Sequence, residues 1–164
     1  MNELKILELE KADYLIVKCI RSWIKSVVFK QNPIPQLIHY LMNYGRVETV
    51  IPFDDLMTSI SLSSVKIYDF RKHNCCFVGE SEKEILKILY LFQCNNTDLA
   101  LNYIKDLVDL VYINKTYDNA KLIAESFSAG DIFFQNPLYL TINNDSNVIN
   151  YDFVNKKYIN TGVR

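Results

Sequence analysis

The sequence predicts a mainly α-helical protein of the α+β class, a bundle of five to six helices with a small C-terminal β-hairpin. Apolar residues recur at helical spacing over most of the first 130 residues. Glycine and proline number four each, and so few breakers favour long regular elements. After residue 137 the pattern changes to short β-branched and aromatic runs around a turn-forming run, which is typical of a hairpin.

The first predicted helix spans residues 8–29 and has the clearest pattern. Lys18, Arg21 and Lys25 occupy its polar side, whereas Val17 and Phe29 are apolar positions outside the main stripe. Two apolar faces favour a central helix or a homodimer contact. The main stripe has apolar residues every three or four positions: Ala12, Leu15, Ile16, Cys19, Ile20, Trp23, Ile24, Val27 and Val28.

Two helices and a short strand are predicted next. Residues 35–44 begin at a proline, which the first helical turn accepts, and end at Gly45. Residues 52–62 also begin at a proline, with two aspartates in the first turn, where the helix dipole favours them. Residues 65–70 alternate with a period of two, which predicts a short strand.

Three further helices complete the predicted bundle. Ser81 and Glu84 form a capping-box signature at the start of the fourth helix, whose nearly all-round apolar sequence favours a central position. The fifth spans residues 98–113. The sixth spans residues 118–129, with Gly130 as its C′ glycine.

The predicted hairpin pairs residues 138–142 with residues 148–153 through a turn at 143–147, and residues 158–159 continue or trail it. An isolated hairpin is only marginally stable in water. We therefore expect residues 137–160 to pack on the helical bundle of residues 1–130, so that residues 1–164 form a single domain.

The composition is that of a soluble globular protein. Apolar residues make up 49% and charged residues 23%, and the net charge is −1, which excludes a disordered tail and a non-specific nucleic-acid coat. We find neither a signal-peptide pattern nor an apolar run of membrane-spanning length. We expect a cytoplasmic protein with reduced cysteines. Sixteen Asn, eighteen Ile and fourteen Lys against four Arg indicate an AT-rich genome.

One loop collects side chains that could carry chemistry. His73, Cys75 and Cys76 lie within four residues, and Cys94 follows downstream. One interpretation is a metal site or a small thiol-dependent enzyme, because imidazole and thiolate bind zinc. The other is that the thiols pack as small apolar side chains, since adjacent cysteines chelate one ion poorly. We favour the second interpretation and expect no metal, no cofactor and no catalytic residue.

Binding surfaces are the remaining candidates. Lys18, Arg21 and Lys25 form a basic stripe of the kind that nucleic-acid binders use, but a solvent-exposed helix face is the simpler interpretation. Membrane binding is not expected. Aromatic residues crowd the predicted hairpin and either anchor it or contact a partner. The candidate partner-binding residues are Tyr139, Tyr151, Phe153 and Tyr158.

Several motifs occur in a fixed order: Ile20-Arg21-Ser22-Trp23, Asp55-Leu56-Met57, Cys75-Cys76 before Ser81-x-x-Glu84, then Ile85-Leu86 and Gln93. This order resembles a loose family of small, uncharacterised helical bacterial proteins over roughly residues 20–130. The two cysteines are adjacent here, whereas that pattern tends to space them. The resemblance implies a helical fold and brings no catalytic residue with it.

These observations predict a cytoplasmic, non-enzymatic adaptor, regulatory or immunity-like protein that acts through protein–protein contacts. Its partner would be another protein, and a homodimer is also open. The alternative is the small metal- or thiol-dependent enzyme that uses the loop of His73, Cys75 and Cys76.

Overall fold

The computed structural model describes residues 3–135 together with the backbone of residues 149–152 and 157–160. This part of the chain is mainly helical, as the sequence predicts. Short 3-10 helices lie at Ile6–Glu8, Val47–Thr49 and Leu110–Tyr112. The α-helices are α1 (Lys11–Val28), α2 (Ile34–Met42), α3 (Val50–Leu62), α4 (Glu80–Gln93), α5 (Thr97–Leu107) and α6 (Ile113–Ala129).

α1 is the central helix of the bundle. Most of its residues are buried, and its exposed positions, including Lys11 and Lys25, follow a narrow line along one side. A central position accounts for the second apolar face at Val17, which is completely buried. Phe29 lies just beyond the helix and is exposed. Trp23 Nε1 donates a hydrogen bond of 2.7 Å to the Asp54 carboxylate and so joins α1 to α3.

The helices α3 and α6 form the most extensive helix pair, and they run antiparallel. α4 packs on α5 and α6, and α1 packs on α2. No helix among the described residues is both long and apolar enough to cross a membrane. Three contacts between the α3 and α6 segments fix their antiparallel order: Arg46 with Ser126 (2.6 Å), Asp55 with Lys115 (3.0 Å) and Ser63 with Asp109 (3.0 Å).

The boundary between the fifth and sixth helices differs from the prediction. α5 ends at Leu107 instead of residue 113, and α6 begins at Ile113 instead of residue 118. Val108 is extended, and the backbone N–H of Asp109 donates to Ser63 Oγ. These contacts with the end of α3 turn the chain, and a local helical pattern cannot show them.

The predicted strand at residues 65–70 does not form. The alternation there reports burial: Tyr68 and Phe70 are buried and stacked with their ring centroids 5.7 Å apart, whereas Val65 and Ile67 are exposed. Tyr68 makes an isolated β-bridge and no strand extends from it, and its hydroxyl donates to the Leu107 carbonyl oxygen (2.7 Å), so a side chain helps to anchor this segment.

In the C-terminal segment, β1 (Ile149–Asp152) pairs antiparallel with β2 (Lys157–Asn160), and Tyr151 lies opposite Tyr158 in the register. The predicted strand at residues 138–142 and its turn at 143–147 lie outside the described residues. The predicted packing of the hairpin on the bundle also stays a prediction.

Candidate functional site

A fully buried ion pair holds the loop that precedes α4. Arg21 on α1 meets Glu82 on α4 in a bidentate pair, with Nε–Oε1 at 2.8 Å and Nη2–Oε2 at 2.9 Å. Both side chains are completely inaccessible to solvent. Charge-assisted, bidentate hydrogen bonds of this kind have a defined geometry, so the pair fixes α4 against the central helix.

The same two side chains also fix the loop backbone. Arg21 Nη1 donates to the Cys75 carbonyl oxygen (2.5 Å), and Nη2 donates to that of Phe77 (2.6 Å). Glu82 accepts the backbone N–H groups of Gly79 (2.8 Å) and Arg71 (3.3 Å). Burial raises the pKa of Glu82, and the hydrogen bonds from Arg21 and these amides oppose that rise.

The N-terminus of α4 is capped two residues earlier than the sequence predicts. Glu82, and not Glu84, reaches back to the backbone N–H of Gly79, which is the N-cap residue. Glu84 instead pairs with Lys66. Asp69 accepts the backbone N–H of Glu80 (2.8 Å) and pairs with Arg71 (2.8 Å), so a buried carboxylate lies at the helix start, where the dipole favours it.

The predicted metal or thiol loop is therefore fastened through its backbone. His73 and Cys75 are partly buried and Cys76 is exposed. Burial and the positive charges of Lys25, Lys18 and Arg21 lower the pKa of His73. The described residues contain no group of three or more His, Cys, Asp or Glu side chains that could hold a metal ion.

Cys94 is not brought to this loop. It is the C-cap residue of α4, whereas the loop joins the N-terminus of the same helix. A helix of 14 residues is about 20 Å long, so Cys94 and the loop lie at opposite ends of α4.

The predicted basic stripe is interrupted at its centre. Arg21 is completely buried, so it belongs neither to a nucleic-acid surface nor to a solvent-exposed face. Lys25 is exposed and Lys18 is partly exposed, about one helical turn after and before Arg21 on α1.

The predicted aromatic contact residues are only partly placed. Tyr139 and the side chains of Tyr151, Phe153 and Tyr158 lie outside the described residues. Just before that segment, Phe134 is buried and stacks on Phe127, with ring centroids 5.2 Å apart, while its neighbour Phe133 is exposed.

A different surface stands out in the structure, because five exposed aliphatic side chains lie on the two chain segments that meet where α3 ends and α5 connects to α6. We call it the apolar end surface. Its five members and their exposed fractions are Leu62 (60%), Val65 (43%), Ile67 (60%), Leu110 (86%) and Val111 (78%).

Hydrogen bonds bring the two parts of the apolar end surface together. The backbone N–H of Asp109 donates to Ser63 Oγ (3.0 Å), and the backbone N–H of Ser64 donates to the Asp109 carboxylate (3.1 Å). The segments that carry Leu62 and Leu110 are therefore adjacent although they are far apart in sequence. Since these bonds fix the backbone, the cluster is presented by an ordered turn.

Sequence reasoning missed both the buried pair and the apolar end surface. Arg21 lies between Val17 and Ile24 at helical spacing, so its charge falls on an apolar face of the helix. That position was the available signal that Arg21 is buried. The sequence also held a signal for the apolar end surface. Asp109 precedes the aliphatic pair Leu110–Val111, and aspartate is a common N-cap residue, so a helix boundary could have been predicted there.

Comparisons of the chain with protein-family models, with curated proteins and with solved structures give no match.

Proposed function

We propose that this protein is a non-enzymatic adaptor or regulatory protein that acts through protein–protein contacts at the apolar end surface. The observation that supports this most strongly is the clustering of five exposed aliphatic side chains, led by Leu110 and Val111. Single exposed apolar residues are normal, whereas the largest contiguous apolar patch of a protein is often functional.

The size of the patch supports a contact role. Taking roughly 90 Å² for each side chain, the five residues present on the order of 450 Å² of apolar surface. Patches of about 300–600 Å² are the largest that monomeric proteins expose, and they are often functional.

The chemistry around the patch fits the same role. Its centre is aliphatic, and an ion pair, Lys66–Glu84, lies beside it, which matches the apolar core and polar rim of protein interfaces. Because the turn at Asp109 is already fixed, less conformational entropy is lost when a partner binds there.

The proposal includes a cytoplasmic location. All four cysteines are unpaired, as is usual in a reducing compartment. An immunity-like protein that covers a surface of another protein is one specific form of this proposal.

Two leucines of equal exposure provide a matched test. Leu110 is 86% exposed in the apolar end surface, whereas Leu7 is 85% exposed in the N-terminal 3-10 helix. We expect Leu110→Glu to shift the tagged protein to a smaller size in native extracts of its source cells. Leu7→Glu is the control and should leave the complex intact.

The two variants should unfold at similar denaturant concentrations, because both side chains are already in solvent. The proposal fails if neither variant changes the size of the complex or if both change it equally.

A further inference from the structure

The outer face of the α3–α6 pair carries apolar residues at both ends. On α3 these are Ile51 and Leu62, each 60% exposed. On the α6 side they are Val111 (78%) and Leu122 (52%). Because the pair is antiparallel, Ile51 and Leu122 share one end of this face, and Leu62 and Val111 share the other.

The separation in sequence is the same on both sides of the face. Ile51 and Leu62 are eleven residues apart, and so are Val111 and Leu122. Eleven residues are close to three full helical turns, about 17 Å, so Ile51 and Leu62 point in nearly the same direction along α3. Val111 lies in the 3-10 helix just before α6, and Leu122 lies on α6 itself.

The middle of this face is polar. Asp55 and Lys115 form an ion pair of 3.0 Å across the two helices, and both are well exposed, at 38% and 52% of their side-chain areas. Thr58 is partly exposed, and Asp118 is exposed one turn beyond Lys115. The face therefore has two apolar ends and a centre that carries both signs of charge.

We propose that the α3–α6 face binds a second copy of this chain across a two-fold axis perpendicular to the helices. This inference rests on the proposed contact function and names the partner: the apolar end surface, through Leu62 and Val111, contributes one end of the interface. In a two-fold interface the same patch occurs on both copies, so it must be complementary to itself.

The residue pattern of the face meets this requirement. The axis places each helix antiparallel to the same helix of the other copy. Ile51 of one copy therefore packs on Leu62 of the other. Val111 likewise packs on Leu122. The same reversal places Lys115 of one copy opposite Asp118 of the other, and Asp55 opposite Thr58. Apolar ends thus meet apolar ends, and unlike charges meet at the centre.

The area is sufficient for a dimer. Together with Leu110, the four apolar residues supply on the order of 450 Å² per copy, at roughly 90 Å² each. Protein interfaces are about 57% apolar, so this corresponds to about 800 Å² in all per copy. That is the usual size of a specific interface.

Size-exclusion chromatography with light scattering, followed by sedimentation equilibrium, tests the proposal on the purified full-length chain. We expect a dimer. Leu62→Glu and Ile51→Glu should each raise its dissociation constant at least about tenfold, because each buries a charge against an apolar residue. Phe29→Glu, at an exposed position that is not part of this face, should leave the constant unchanged.

A charge exchange tests the orientation. Lys115→Asp should weaken the dimer, and adding Asp118→Lys should restore it, because the pair across the axis is then rebuilt with opposite signs. Lys115 also pairs with Asp55 within the chain, so denaturant unfolding of both variants separates loss of the dimer contact from damage to the fold.

A wild-type chain that stays monomeric at every concentration overturns the dimer. If its Leu110→Glu variant nevertheless loses a complex in extracts, the proposed contact function stands with a different partner. Loss of the dimer in Leu62→Glu but not in Ile51→Glu indicates contact between end surfaces only, and overturns the two-fold arrangement proposed here.

Discussion

Arg21 shows how far the role of one residue depends on tertiary contacts. Its place beside Lys18 and Lys25 indicates a solvent-exposed face, yet its guanidinium is completely buried. The residue that decides this is Glu82, which is 61 positions away in the sequence. No local pattern could identify that partner, although the apolar neighbours of Arg21 were visible.

The buried pair predicts a large and non-additive loss of stability. Arg21→Met alone should lower the free energy of unfolding by about 3–5 kcal/mol, because Glu82 is left as a buried charge without its cation. Arg21→Met combined with Glu82→Leu should recover part of that loss, since no charge then remains buried. Denaturant unfolding at neutral pH measures the free energies of unfolding of the double variant and of each single variant, Arg21→Met and Glu82→Leu. If the loss in the double variant equals the sum of the two single losses, the two side chains are not coupled.

Asp13 predicts a pH-dependent stability. Its side chain is almost completely buried, and burial raises its pKa from 3.8 to about 6, with Glu10 adding to the rise and the backbone N–H of Gln135 opposing it. The folded state therefore favours the protonated form. The stabilisation is full below pH 3.8 and is lost as the pH rises through about 6.

Asp13→Asn tests this shift, because asparagine keeps the shape and the hydrogen-bond acceptor but does not titrate. The measured quantity is the free energy of unfolding of the variant minus that of the wild type. This difference should be higher at pH 8 than at pH 4, by up to about 3 kcal/mol. Urea unfolding across that range measures it. A difference between the two proteins that does not change with pH refutes the raised pKa.

Among the elements, helical periodicity and the breaker residues located the six α-helices of residues 3–135. The errors lie where tertiary contacts decide a boundary. Ser63 binds Asp109 and ends the fifth helix early. At the end of α6, Gly130 keeps a negative φ of −96° and Asp131 takes the left-handed conformation at 54°, against the prediction of a C′ glycine.

Gly79, at the start of α4, has no room for a larger side chain. A Cβ atom there would lie 2.2 Å from the backbone carbonyl oxygen of Asp69, which belongs to the cap of α4. Gly79→Ala should therefore cost about 2–3 kcal/mol or more, because the backbone must shift. Gly45 has a left-handed φ of 65° with open space around it, so Gly45→Ala should cost only about 1 kcal/mol.

Denaturation midpoints of these two variants give the comparison directly. The account requires the Gly79 variant to be the less stable of the two. Equal midpoints would mean that the loop before α4 yields easily and is not held by Arg21 and Glu82.

For the molecule as a whole, the sequence was sufficient to predict the helical class but not the apolar end surface. Apolar periodicity shows which residues a helix can bury, and it does not show which of them a neighbouring element covers. The sequence analysis placed Leu110 and Val111 in the last turn of the predicted fifth helix. In the structure the turn at Asp109 exposes them. The predicted hairpin residues, Tyr151 and Tyr158 among them, remain a second contact prediction.

The proposed function requires that this protein bind its partner at the apolar end surface. Photo-crosslinking in the source cells examines this contact, with a photoreactive amino acid placed at position 110 or, as the matched control, at position 7. We expect one discrete protein adduct from position 110, lost when Val111→Glu is added, and none from position 7. The same adducts from both positions, or no adduct from position 110, would refute the contact function.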